Sequence, residues 1–116
     1  MKVIAKDLVG VNAISMQSGK HLYDVIYEPL KSGDKVEIDF VGVGLFASPF
    51  FNAGIGYLLK DINIEDLQRD LKFTNLSDVG RQILNLVISN AIKYYDEKNN
   101  LPEMLESINK DPEDNK

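Results

Sequence analysis

Asp39, Ser48 and the glycines between them are the residues of this sequence best placed to do chemistry. They sit in KVEIDFVGVGLFASPFFNAGIGYLL, residues 35–59. Asp39 closes an alternating run, Gly42 and Gly44 punctuate the stretch after it, and Ser48-Pro49 leads into Phe50, Phe51 and Asn52. A strand that feeds a helix through an exposed loop is how open α/β domains place sites at the carboxyl ends of their strands. The Asp39 carboxylate could hold a ligand there, or cap a turn through its own backbone. The Ser48 hydroxyl could accept a phosphate, which adds about −1.5 to −2 charge at neutral pH. It could equally act as an N-cap that satisfies a free backbone donor. The turn and the cap are the plainer readings. Gly42 and Gly44 resemble a phosphate loop in composition, but no GxGxxG or GK[ST] accompanies them, so turn geometry is the simpler reason for them.

No catalytic set accompanies this segment. His21 is the single histidine, with no nucleophile placed to use it by motif and no second histidine for a metal. Asp61, Glu65, Asp66 and Asp70 form an acidic stretch without the alternation and glycine of a calcium loop, so it reads as a solvated connector. Asn90 interrupts an apolar helical run and suits either a bond across the fold or the surface. No catalytic residue, metal ligand or cofactor motif is assigned, and the chain is expected not to be an enzyme.

The elements that must position these residues can be read from periodicity. Lys2–Lys6 reads as a first or edge strand, and residues 9–17 as a second short strand or a loop. Ser18-Gly19 opens a helix with Ser18 as N-cap; Leu22, Val25, Ile26 and Leu30 fall on one face, and Ser32-Gly33-Asp34 stops it. Val36, Ile38 and Phe40 alternate with Glu37 and Asp39. A strand buried on both faces would be apolar throughout. This one predicts helices on one side of the sheet and exposed Glu37 and Asp39 on the other. Ser48 and Pro49 are N-cap and first residue of a helix carrying Phe50, Phe51, Ile55, Leu58 and Leu59. Gly54 and Gly56 within it predict close approach to the sheet or to another backbone, since glycine costs about 1 kcal/mol in a helix interior. Leu71, Phe73 and Leu76 form a short strand, and Ser77-Asp78 starts the longest helix, ending near Asp96, with Tyr94-Tyr95 dividing between core and surface.

The fold class that results is α/β, a small mixed or parallel sheet with helices packed mainly on one face. One domain, residues 1–98, is followed by an acidic polar tail, residues 99–116. Met104, Leu105 and Ile108 could form a turn or two of helix there, with disorder from Lys110 onward. The chain has no cysteine, which excludes disulfides and thiolate metal sites. A net charge of −5 argues against nucleic acid as a partner. No run approaches the roughly 20 apolar residues of a membrane span, and the opening MKVIAKDLVG is not a signal peptide.

The segment IDFVGVGLFASPFFNAGIGYLL resembles the STAS-like domain family of unknown function, a relative of the STAS domains of sulfate transporters and anti-sigma factor antagonists. Ser18-Gly19, Val36–Phe40, Gly42-Val43, the block Phe46–Asn52, Gly56, Asn90-Ala91 and Tyr94-Tyr95 carry the resemblance, over roughly Lys2–Tyr95. It implies a STAS-like sheet covered on one face and a bacterial, cytoplasmic regulatory module. In anti-sigma antagonists a serine after the equivalent strand is phosphorylated by a partner kinase. Here Ala47 stands where that pattern has an acidic residue and Pro49 follows Ser48, so only Ser48 remains as an acceptor.

The leading expectation is a non-enzymatic module that binds a protein through Val41–Ala47 and Ser48–Asn52. Phe50 and Phe51 are adjacent and cannot share a helix face, so one is expected in the core and the other at the interface. By the resemblance, the partner is a histidine-kinase-like ATPase or anti-sigma-type kinase. A small-ligand or nucleotide sensor is the alternative, as is a structural subunit that forms a homodimer through the last helix or the open sheet.

Overall fold

The computed structural model describes the backbone of residues 1–104 and the side chains of residues 1–95. The expectations for Leu105, Ile108 and the end from Lys110 lie outside the described residues. Three strands form the main sheet: β1 (Lys2–Ile4), β3 (Val36–Asp39) and β5 (Leu71–Thr74), in the order β1-β3-β5. A two-stranded sheet pairs β2 (Asn12–Ala13) with β4 (Leu45–Phe46). Every pairing among the described residues is parallel, the second of the two forms expected.

Register puts Val3, Ile38 and Phe73 in one row, beside Val36 and Leu71, on the face that the helices cover. The opposite face carries Lys2, Glu37 and Lys72 in one row and Ile4, Asp39 and Thr74 in the next. Lys2 and Lys72 are exposed there and Glu37 is half-buried. The one-sided sheet expected from the alternation is therefore present. Asp39 departs from the expectation: it is only 6% exposed, because the loops at the strand ends close over it.

The helices are α1 (Ala5–Val9), α2 (Met16–Lys31), α3 (Ser48–Gly54), α4 (Ile64–Asp70) and α5 (Asp78–Met104). Helix α1 follows β1 without a loop and ends at Gly10, whose φ of +83° needs glycine. The sequence pattern did not announce it. Helix α2 starts at Met16 rather than at Ser18-Gly19. Its N-cap is Ser15, whose Oγ accepts from the Ser18 backbone N–H at 3.0 Å. Ser18 is thus the capped residue and not the cap.

The expected helix from Ser48 to Leu59 is two elements, α3 and a 3-10 turn over Gly56–Lys60. Gly54 marks the break, and the close approach predicted for it is to α2. A Cβ on Gly54 would lie 3.1 Å from the Gly19 carbonyl oxygen, and a Cβ on Gly19 would fall on the Phe50 carbonyl. The two backbones cross with no room for side chains. Gly56 faces Val87 and Ala91 of α5 instead.

Helix α4 occupies most of the expected polar connector, with Asn63 Oδ1 accepting from Asp66 N at 2.9 Å as its cap. Strand β5 stops at Thr74, short of Leu76, because Asn75 turns left-handed at φ +56°. Ser77 caps α5 by accepting from Gly80 N at 3.1 Å, and α5 runs on past Asp96 to Met104. Leu84 and Val87 are buried, and Ile83, Ile88, Ala91, Ile92 and Tyr95 pack beside them against the core. Asn90 is exposed. Tyr94 and Tyr95 meet edge to face at 4.9 Å, with Tyr94 outside and Tyr95 half-buried.

Candidate contact surface at the strand ends

Parallel pairing brings the carboxyl ends of β1, β3 and β5 to one edge, and Asp39 stands at the middle of it. Both its oxygens are occupied. Oδ1 accepts from the Val41 backbone N–H at 2.9 Å and from Asn75 Nδ2 at 2.8 Å. Oδ2 pairs with Lys2 Nζ at 3.6 Å. The Asn75 and Val41 donors, then the Lys2 charge, hold the carboxyl below its usual range, because each favours the ionised form. One side chain thereby ties together the loops after β3 and β5 and the start of β1. Asp39 is thus a turn-forming residue whose capacity is used inside the protein.

Residues 40–47 leave this anchor as an ordered loop. Val43 N donates to Phe40 O at 3.0 Å, Gly44 N to Val11 O at 2.9 Å, and Ala47 N to Ala13 O at 3.0 Å. Gly42 has φ +82° and lies under the Lys6 side chain, so the turn reading holds there. Gly44 is in open space with no such demand on its φ. The pairing of β2 with β4 joins this loop to residues 11–16. These two segments expose Val11 (50%), Ile14 (41%), Met16 (67%), Val41 (52%) and Leu45 (58%). Single exposed aliphatic side chains are ordinary; here five of them fall within residues 11–16 and 41–45, on segments that the β2–β4 pairing joins.

Helix α3 does not present its first turn as expected. Ala47 is the N-cap position, Ser48 is the first helical residue, and no side-chain cap bond is made. Ser48 is exposed and makes no side-chain hydrogen bond with the described residues. Phe50 and Phe51 are both fully buried, which corrects the expectation that one of them faces a partner. The reason is layering: α3 packs against α2, α5 and the 3-10 turn, so more than one of its faces is interior. Phe40 lies 6.5 Å from Phe50 and 6.1 Å from Phe51, ring centre to ring centre, and takes both. Asn52 is exposed. With Met16, Lys20, Tyr23, Pro49, Ala53 and Tyr57 it lines a groove of about 440 Å³ between α2 and α3. Neither Asp39 nor Ser48 belongs to its wall.

A second polar cluster lies at the other end of the sheet. Asp70, read in the sequence as part of a solvated stretch, is 4% exposed. It pairs with Arg69 at 2.9 Å and Lys35 at 3.4 Å, which hold its carboxyl low. Asp66 pairs with Arg69, and Asp61 accepts from Tyr27 Oη at 3.1 Å. Tyr27, Tyr23 and Tyr57 form a row of rings 5.2 and 5.3 Å apart. Burial, then the neighbouring phenols and Asp61, push the Tyr23 hydroxyl up to about 12. His21 is exposed. Among the described residues no group of three or more His, Cys, Asp or Glu side chains could hold a metal, and no helix is long and apolar enough to cross a membrane.

Sequence reasoning found Asp39, Gly42 and the loop. It missed Asn75 and Lys2 as the partners of Asp39, and Val11, Ile14 and Met16 as the second half of the patch. Asn75 carried a legible signal, since asparagine directly after a strand tolerates the left-handed conformation better than most residues. The others depend on pairings between distant segments.

The architecture is that of a small α/β module with a one-sided parallel sheet and an ordered loop at its strand ends. The chain belongs to the family described as a STAS-like domain of unknown function, which matches residues 18–81. That span begins inside α2 and ends in the first turn of α5, so it contains β3, the loop, α3, α4 and β5. No curated protein and no solved structure matches the chain.

Proposed function

We propose that this chain is a non-enzymatic regulatory module that acts by binding another protein through residues 11–16 and 41–47. The observation that carries the reading is the patch of Val11, Ile14, Met16, Val41 and Leu45 on a loop already fixed by hydrogen bonds. A loop ordered before binding loses less conformational freedom on association, which favours a specific contact. By family likeness, the partner is a histidine-kinase-like ATPase or an anti-sigma-type kinase in a bacterial cytoplasm. Ser48 is the candidate phosphoacceptor within this reading, since its hydroxyl is exposed and uncommitted.

The other readings have less support. A ligand sensor would be favoured by a pocket beside Asp39 and Ser48, but the Asp39 oxygens are consumed by internal donors and the apolar groove lies elsewhere. Among the described residues, self-association through α5 could draw only on Val79, Leu86 and Tyr94, since the core takes the rest of its apolar residues. The test is photocrosslinking in the native cell from residues 41, 45 and 16, with residue 86 of α5 as control. One common protein crosslinked from the first three and not from the control supports the reading. Equal labelling from all four contradicts it.

A further inference from the structure

The contact loop is fastened at two ends to two different parts of the fold. Its distal half is held by the segment before α2: Gly44 bonds to Val11, Ala47 bonds to Ala13, and the Lys6 side chain lies over Gly42. Its proximal end is held at Val41, whose N–H is captured by Asp39 Oδ1. That same oxygen takes the amide of Asn75, which sits two residues before the Ser77 cap of α5. Asn75 keeps its left-handed backbone, φ +56°, at the end of β5. A non-glycine residue holds such a conformation only where its surroundings compensate for it, and the bond to Asp39 is that compensation.

We infer that the Asp39–Asn75 bond is a clasp between the contact loop and the start of α5, so that the loop is ordered only while α5 holds its place. Asn75 is then a positioning residue. It touches no partner, but its amide fixes the rotamer in which Asp39 can capture Val41. A shift of α5 relative to β5 withdraws that amide, frees the carboxylate to turn, and releases the loop from its proximal end. Helix α5 packs on α3 and on the 3-10 turn, and it also meets the loop directly at β4, where Phe46 lies against Gly80. The use of the loop as a contact surface rests on the function proposed above, whereas the clasp is read in the free protein, so either can fail alone.

The experiment is amide hydrogen exchange on the full chain. Asn75→Gly accepts the left-handed backbone and deletes only the donor. Exchange at Val41 and along residues 42–45 is expected to rise by roughly tenfold, the least that a net hydrogen bond to a charged group supplies. Amides of Leu22 and Ile26 in α2 should not change. Asn75→Asp keeps the side-chain shape but sets a second carboxylate against Asp39, and exchange at the same amides should rise as well. Unchanged exchange at Val41 in Asn75→Gly overturns the inference, as does unchanged exchange there in a folded Asn75→Asp. Should Asn75→Asp fail to fold, Asn75→Gly decides alone.

Discussion

Asn75 reaches across the ends of β5 and β3 to Asp39 at 2.8 Å, and the two residues are 36 positions apart in the chain. Asp39 is the point at which three neighbouring strand ends are held together, through Lys2, Val41 and Asn75. These contacts make part of the stability acid-sensitive. The folded protein holds the Asp39 carboxyl below its usual 3.8. A group lowered in this way contributes stability that is present above the ordinary value and lost as the pH falls through the lower one. Asp70 behaves alike at the other end of the sheet, through Arg69 and Lys35. Urea denaturation followed from neutral pH into acid should show a loss that is shallower, but not abolished, in Asp39→Asn. An unchanged slope would mean that the Asp39 contacts do not favour its ionised form.

The two serines that open helices should behave differently. Ser15 caps α2 through the Ser18 amide, so Ser15→Ala should cost about 1 kcal/mol. Ser48 makes no cap bond, and Ser48→Ala should stay within about 0.5 kcal/mol. Denaturant midpoints of the two variants give the comparison. A larger cost at Ser48 would restore the cap role read from the Ser-Pro pair.

The crossing of α2 and α3 gives a sharper case. Gly19→Ala should gain about 1 kcal/mol of helix propensity. It should also drive a methyl group onto the Phe50 carbonyl. Backbone cannot step aside as a flexible side chain can, and overpacking of this kind costs about 1–3 kcal/mol or more. The clash should prevail, and the variant should be less stable than the parent. A stabilised Gly19→Ala would show that the helices are not in backbone contact.

Tyr23 carries the alkaline counterpart. Its hydroxyl is raised from 10.0 to about 12, first by burial and then by Tyr27, Asp61 and Tyr57. The associated stability is fully present below pH 10.0 and is lost as the pH rises toward about 12. Tyrosinate absorbance should lack its latest-titrating component in Tyr23→Phe. The same substitution should flatten the fall of the melting temperature in alkali.

The alternation of Val36, Ile38 and Phe40 was enough to foresee a sheet covered on one face. It could not supply the fate of Asp39. Period-two patterning assigns a side chain to a face, but burial at a strand end is decided by groups from distant parts of the chain, here the Lys2 side chain of β1 and Asn75 after β5. The break in the helix after Ser48 was half legible. Gly54 signalled a close backbone, but only the partner Gly19 explains why a glycine is needed there. Phe50 and Phe51 misled for a related reason: the rule that adjacent residues diverge is correct, yet α3 has neighbours on more than one side. The patch itself needed the β2–β4 pairing, two residues long on each side, which leaves almost no trace in hydropathy.

Docking of a protein on the paired segments 11–16 and 41–47 should depend on the apolar surface of Leu45. Quantitative capture of partners from the native cell, by the intact chain and by Leu45→Asp with Leu86→Asp as the control, measures that dependence. Leu45 and Leu86 are exposed to nearly the same degree, 58% and 59%, so neither charge should unfold the protein. Melting temperatures should agree for all three proteins. One partner should be retained by the intact chain and by Leu86→Asp and lost from Leu45→Asp. A partner held equally by Leu45→Asp would contradict the docking role of this surface.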